Sequence, residues 1–308
     1  MYYLSRNVDE EEKLPRQHYL PAAYLARFSK DQNPVGRQRQ VVVGDRETRR
    51  VFTTAVSNVC GISDFYTLKE MPESPNLIDD IWSSYENQLP FAISQLCEGH
   101  ISGLLWATVI IPFVAGILAR GPDFNTRFEN RLSTIGLGEF NTPDNTNFAR
   151  LMEIQRLRPA LMVARWIVLE THAQNIITTD IGFMPFENAE LGTLGLAIPL
   201  GLNSLLLLSP STKKVIAYEF EGEWFPTIEY SEISAHDYLT LNVALGKSAQ
   251  RFLFGPDEDI VRSNLYQISE QPIIPEIEEL GFPGGIVAAN NEMKWFSLVE
   301  ILSKWFSR

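Results

Sequence analysis

Apolar residues recur at helical spacing in several stretches. From Asn76 to Glu98 the positions Trp82, Glu86, Leu89, Ile93 and Leu96 follow the i, i+4, i+7 rhythm of one packed face, which predicts a helix mildly broken at Pro90. Tyr238, Leu241, Asn242, Leu245, Ala249 and Phe252 do the same and predict a helix over Ile233 to Phe254. A third helix is expected over Phe148 to Ala173, kinked at Pro159, and a short one over Pro21 to Lys30, opened by a proline whose missing donor costs nothing there. Ile101 to Leu118 carries no charge over 18 residues, enough to raise the question of a membrane span. Ser102, Gly103, Pro112 and Gly116 interrupt it and no basic flank precedes it, so a buried core helix is the expectation.

Elsewhere the period shortens to that of strands. Gln40 to Gly44 and Arg49 to Thr53 predict a hairpin around the polar turn Asp45, Arg46, Glu47. Ile176 to Asp180, Leu194 to Leu200, Ser204 to Ser209 and Lys214 to Phe220 read as successive strands with short connections, hence mostly antiparallel. Arg120 to Asn147, rich in Asn, Asp, Gly and Thr, reads as a long loop or a short helix with loops. The pattern predicts an α+β fold, with a helix-rich N-terminal half packed on a mostly antiparallel sheet from the C-terminal half. Residues 1–255 are expected to form a single domain, 256–290 a Pro/Gly-rich linker, and 291–308 an amphipathic C-terminal helix. In that helix Trp295, Phe296, Leu298, Val299, Leu302, Trp305 and Phe306 oppose Lys294, Lys304 and Arg308, a face suited to this domain or to a protein partner.

Composition narrows the classes of function. Of 308 residues 45% are hydrophobic, enough for one large core. Acidic residues number 38 against 26 basic ones; the net charge of -12 argues against extended duplex nucleic acid as a partner. The two cysteines, Cys60 and Cys97, make neither a disulfide framework nor a zinc motif and fit a reducing cytoplasm. The polar, acidic start lacks the basic and apolar segments of an export signal. There is no GxxxxGK[ST] phosphate loop, no GxGxxG, no HExxH and no GxSxG, which removes the assignments those motifs carry.

What remains is polar residues placed where the periodicity asks for apolar ones, since burial of such groups is costly unless they are paired. Glu86 and Asn242 interrupt apolar stripes, and Arg120 ends the most apolar helix. Asp180 follows a strand-like run and precedes Gly182, a strand end where either a site or an ordinary Asx turn fits. His18, in Arg16-Gln17-His18-Tyr19-Leu20-Pro21, lies just before a helix start and suits either acid/base work or a structural hydrogen bond.

The run Gln17, His18, Tyr19, Leu20, Pro21, followed by Tyr24, Leu25 and Phe28, resembles the domain-of-unknown-function family numbered 4238, whose members open with Gln-His-Tyr-x-Pro ahead of a short helix. Phe65, Tyr66 and Thr67, then Glu86, Arg120 with Pro122, Thr179 with Asp180, Pro199 with Leu200, and Asn242 are similar to that family's later landmarks, a likeness spanning about residues 15 to 255. The family's Ser-Asp-x-Pro is replaced here by Thr179, Asp180, Ile181 and Gly182. The resemblance implies positions and no reaction.

Together these residues suggest an enzyme with a polar cleft, a hydrolase of a phosphate-containing or nucleotide-like substrate. His18, Glu86 and Asp180 are the catalytic candidates, and Arg120, Asn242, Gln17 and Tyr19 the substrate-binding ones. In that reading Arg120 clamps an anionic group and Asp180 acts as a base or a magnesium ligand, although no metal motif demands one and the cofactor stays open. The alternative is a non-catalytic interaction or sensor module, its polar residues a structural network and its C-terminal helix the contact with a partner. A membrane-bound form would need the tail and the apolar stretch to act together.

Overall fold

The computed structural model describes residues 16–30, 36–172, 175–188, 193–209, 217–220 and 223–268. The C-terminal helix expected over 291–308 and most of the expected linker lie outside them.

The chain opens with β1 (Arg16–His18) and α1 (Ala22–Leu25), which runs on as a 3-10 turn over Ala26–Phe28. The valine-rich hairpin follows as β2 (Gln40–Asp45) and β3 (Val51–Ala55), and β4 (Gly61–Ser63) returns to pair antiparallel with β1. Pro90 sits in a first turn rather than a helix interior, so the expected kinked helix is two helices, α2 (Leu77–Glu86) and α3 (Leu89–Cys97). Ile78, Trp82 and Tyr85 form the buried face of α2, and Asp79 and Asp80 in its first turn complement the helix dipole. The uncharged stretch is α4 (Gly103–Arg120), long and apolar enough to cross a membrane but 72% buried inside the protein. Its wide π-helical turn over Trp106–Ile110 precedes Pro112, whose ring would otherwise crowd the carbonyl of Thr108.

Two further helices, α5 (Asp123–Thr134) and α6 (Pro143–Met162), occupy most of the stretch that reads from sequence as a long loop or a short helix with loops. Thr142 caps α6 by accepting the Asn145 N–H. The helix expected to run to Ala173 ends at Met162, and β5 (Arg165–Glu170) follows it. Next come β6 (Thr178–Thr179), β7 (Met184–Asn188), β8 (Thr193–Gly201), β9 (Ser204–Ser209), β10 (Ala217–Phe220), β11 (Glu223–Pro226) and β12 (Ile228–Glu232). After α7 (Ala235–Ser248) the expected helix again gives way to a strand, β13 (Phe252–Gly255). The last described element is α8 (Glu258–Gln267), inside the segment read as linker; it buries Val261 and Leu265 against the hairpin sheet and extends the folded unit beyond residue 255.

The fold is α+β. One sheet has the order β12-β5-β9-β8-β7, antiparallel except for β12 beside β5; a second, β3-β2-β13-β6, is antiparallel and joins the N-terminal hairpin to C-terminal strands. The C-terminal half therefore does not own the whole β layer. The main core runs from Tyr19 to Phe254, with Trp106 set edge-to-face on Trp166 across helix and sheet. Tyr24 ties the halves together: its hydroxyl donates to the Pro199 carbonyl at 2.9 Å and shares a hydrogen bond with Thr178 Oγ1.

Candidate functional site

Three of the sequence candidates converge around the end of α4. The Arg120 side chain is buried, and its Nη1 donates to Glu86 Oε1 at 2.5 Å while Nη2 donates to the His18 main-chain carbonyl at 2.6 Å. Tyr85 Oη lies 3.4 Å from Nη1, and the guanidinium stands 4.8 Å over the Trp82 ring. The Tyr66 hydroxyl closes the cluster by donating to the Arg120 carbonyl at 3.0 Å. Burial works against the Arg120 charge, but Glu86, Tyr85 and Tyr66 outweigh it and raise the guanidinium above its ordinary range. Its charge is thus already matched. The anion clamp read from sequence is a buried structural cation, and the Glu86 side chain, 19% exposed, links it to the surface.

At that surface His18 is half-buried. Its Nε2 lies 3.2 Å from the Ser57 carbonyl, which favours the tautomer that donates from Nε2 and leaves a lone pair on Nδ1. Burial lowers its pKa below 6.5; the Ser57 bond and Glu86 work the other way, and Arg37 and Arg16 add to the lowering. Asp79 in the first turn of α2 is half-buried within electrostatic reach of Arg120 and Glu86, and burial raises its carboxyl above the usual range. The neighbours of His18 in sequence face inward. Gln17 is buried, accepting the Tyr66 N–H through Oε1 at 2.5 Å, and Tyr19 is buried against Cys60, burial pushing its hydroxyl far up.

Asp180 and Asn242 are placed elsewhere and are used up by the backbone. Both Asp180 oxygens accept main-chain N–H groups, from Gln250 at 2.9 Å, Arg251 at 2.8 Å and Phe252 at 3.1 Å, and so fix the start of β13. Burial nevertheless pushes its carboxyl up to about 6. Asn242 on α7 accepts the Ile177 N–H and donates to the Asn175 carbonyl, holding the segment before β6. Gly182 (φ +76) turns the chain two residues after Asp180, a left-handed position that suits glycine. Among the described residues no group of three or more His, Cys, Asp or Glu could hold a metal ion.

The sequence reading missed Arg150. It is fully buried on α6, donating to the Ala119 and Gly121 carbonyls and to Asn125 Oδ1, with Phe65, Tyr66 and Phe124 around its guanidinium. Burial lowers its pKa to about 10, so it remains charged at neutral pH. Asp144 on the same helix accepts the Lys69 and Glu70 N–H groups. Arg120 and Arg150 thus flank Tyr66, and every part of that arrangement lies between β1 and the first turns of α6.

Comparison with known families draws nearly the same boundary. Residues 16–135 match the family described as protein of unknown function, DUF4238. The DUF4238 stretch holds Gln17, His18, Tyr66, Glu86 and Arg120, whereas Arg150, Asp180 and Asn242 fall beyond it, so the match is shorter than the likeness drawn over residues 15 to 255. No curated protein and no solved structure matches the chain.

Proposed function

We propose that the chain is an enzyme with an acid/base centre at the surface formed by His18, Glu86 and Asp79, hydrolysing a phosphate-containing substrate. The observation that supports it is His18: a half-buried imidazole oriented by the Ser57 carbonyl, with its pKa lowered so that it is neutral at pH 7 and able to accept a proton. In the hydrolysis Nδ1 takes a proton from water as the oxygen bonds to phosphorus. The bond from phosphorus to the leaving oxygen breaks, and that oxygen takes a proton from Asp79, whose carboxyl burial raises above the usual range. Glu86 is a positioning residue held by Arg120. Arg16 and Arg37, exposed and close enough to act on the His18 charge, are the cations suited to the substrate's phosphate.

The test is phosphate release from a panel of nucleotides and phosphomonoesters by the full chain. His18→Ala should lower turnover by about 10²–10⁴-fold with an unchanged circular dichroism spectrum. For the wild type, kcat/KM should follow a bell against pH, rising as His18 loses its proton and falling as Asp79 loses its own, and the falling limb should be absent in Asp79→Asn. Equal turnover in the wild type and in folded His18→Ala and Asp79→Asn variants would remove the proposal.

A second reading has its own observation: Arg120, Asp180 and Asn242 spend their polar atoms on internal bonds, as expected of scaffold. On that reading the chain is a non-catalytic module acting through its C-terminal segment. It is favoured if deleting residues 290 to 308 abolishes biological function while His18→Ala does not.

A further inference from the structure

At the hairpin of β2 and β3 a cleft of about 590 Å3, open to solvent, is lined by Arg49, Arg50 and Arg262 with Phe52 and Thr48. We infer that it binds a small phosphate-bearing ligand with a planar ring, a nucleotide in chemical class. It shares no residue with the proposed acid/base centre, so the two stand or fall separately.

Charge is the first argument. The chain carries a net charge of -12, yet three guanidinium groups line this one cleft. The only carboxylate in the lining is Asp45, whose oxygens accept the Glu47 and Thr48 N–H groups and the Arg251 guanidinium. Those bonds hold its pKa below the usual range in spite of burial, so it stays ionised and Arg251 matches its charge. Glu258 faces Arg262 at 3.4 Å between two exposed side chains, a contact that a phosphate would readily displace. Arg50 makes no ion pair among the described residues. The cleft is left with positive charge arranged in forks suited to phosphate oxygens.

Shape and backbone supply the second argument. Phe52 is 40% exposed on the edge strand β3, which places an aromatic face beside the cations. Arg49 adopts φ +58, a left-handed conformation unfavourable for a side-chain-bearing residue, and is fixed there by donating to the Leu265 carbonyl of α8. The strained turn presents Arg49 and Arg50 in succession along the rim. The volume is that of a small-molecule site rather than a track for a polymer.

Isothermal titration calorimetry of the full chain at low salt, with ADP, adenosine and inorganic phosphate as probes, tests the inference. ADP should bind saturably and more tightly than either part, and the Arg50→Gln, Arg262→Gln double variant should weaken it by about tenfold or more. Both side chains are exposed, so the variant should keep the wild-type circular dichroism spectrum. Phe52→Ala should weaken ADP and leave inorganic phosphate unchanged, and His18→Ala should leave ADP binding intact. The inference is overturned if ADP fails to saturate at low millimolar concentration, if the folded double variant binds it equally, or if inorganic phosphate binds as tightly as ADP. Tighter binding of a single-stranded oligonucleotide than of ADP would also overturn it, in favour of a polymer surface.

Discussion

Arg120 and Glu86 set the energetics at the scale of single residues. The guanidinium is buried with the carboxylate as its charged partner, so Glu86→Ala leaves a desolvated cation behind. The partial exposure of Glu86 lets water recover some of the loss, and the expected cost is about 2 kcal/mol in urea unfolding. Replacing both, as Glu86→Leu with Arg120→Met, should cost less than the single change because no unpaired charge remains. Asp180 gives a pH signature. Its carboxyl titrates near 6 when folded and near 3.8 when exposed, so the folded state binds the proton more tightly. Its stabilising contribution is complete below pH 3.8 and is lost as pH rises through 6. The stability of the wild type relative to Asp180→Asn should therefore fall between pH 4 and pH 7, read as the difference in urea midpoints. An opposite slope would mean that the three N–H donors outweigh burial.

Among the elements, legibility in the sequence followed the contrast between buried and exposed positions. Where apolar residues alone form the inner face, as Ile78, Trp82 and Tyr85 do in α2, the helix is visible in the periodicity. Over residues 120 to 147 the contrast is weak: α5 buries only Phe124 and Leu132, and the first turns of α6 bury Asp144 and Asn147 in place of apolar residues, so the stretch reads as a long loop or a short helix with loops. The strands β5 and β13 were absorbed into preceding helices because apolar strand and helix ends look alike over a few residues. The candidate site was legible only in part for a related reason. Sequence marks a polar residue on an apolar stripe, but Asn242 satisfies its backbone contacts and Glu86 its cation with the same outward sign. One element offers a direct test of packing. A Cβ on Gly195 in β8 would lie 2.6 Å from the Leu208 carbonyl of β9 and 2.6 Å from the Phe186 ring of β7, so Gly195→Ala must displace backbone. The expected loss is about 2 kcal/mol, measured by urea denaturation.

Across the whole molecule, the main core holds residues from Tyr19 through Phe254, a second cluster around Ile177, Leu205, Leu245 and Leu265 includes Leu253 of β13 next to Phe254 of the main core, and the hairpin β2–β3 shares a sheet with β13. Neither half can lose its packing without exposing the other. Urea unfolding followed by tryptophan fluorescence and by far-ultraviolet circular dichroism should therefore give coincident transitions, with Trp82, Trp106 and Trp166 buried at separated points of the same core. Two separated midpoints would show that the halves unfold independently. The wide turn of α4 is what lets both ends of that helix be satisfied at once. A π turn holds one residue more than the α turn it replaces, and each residue advances a helix by about 100°. Upstream, Trp106 faces Trp166; downstream, Arg120 faces Glu86 and the His18 carbonyl. Removing one residue between 106 and 110 would hardly shorten the helix, yet it would turn one end against the other by more than a quarter of a revolution. The turn acts as a phase setting between sheet and rim, and α4 is accordingly a rod in which a substitution is local but a deletion is global.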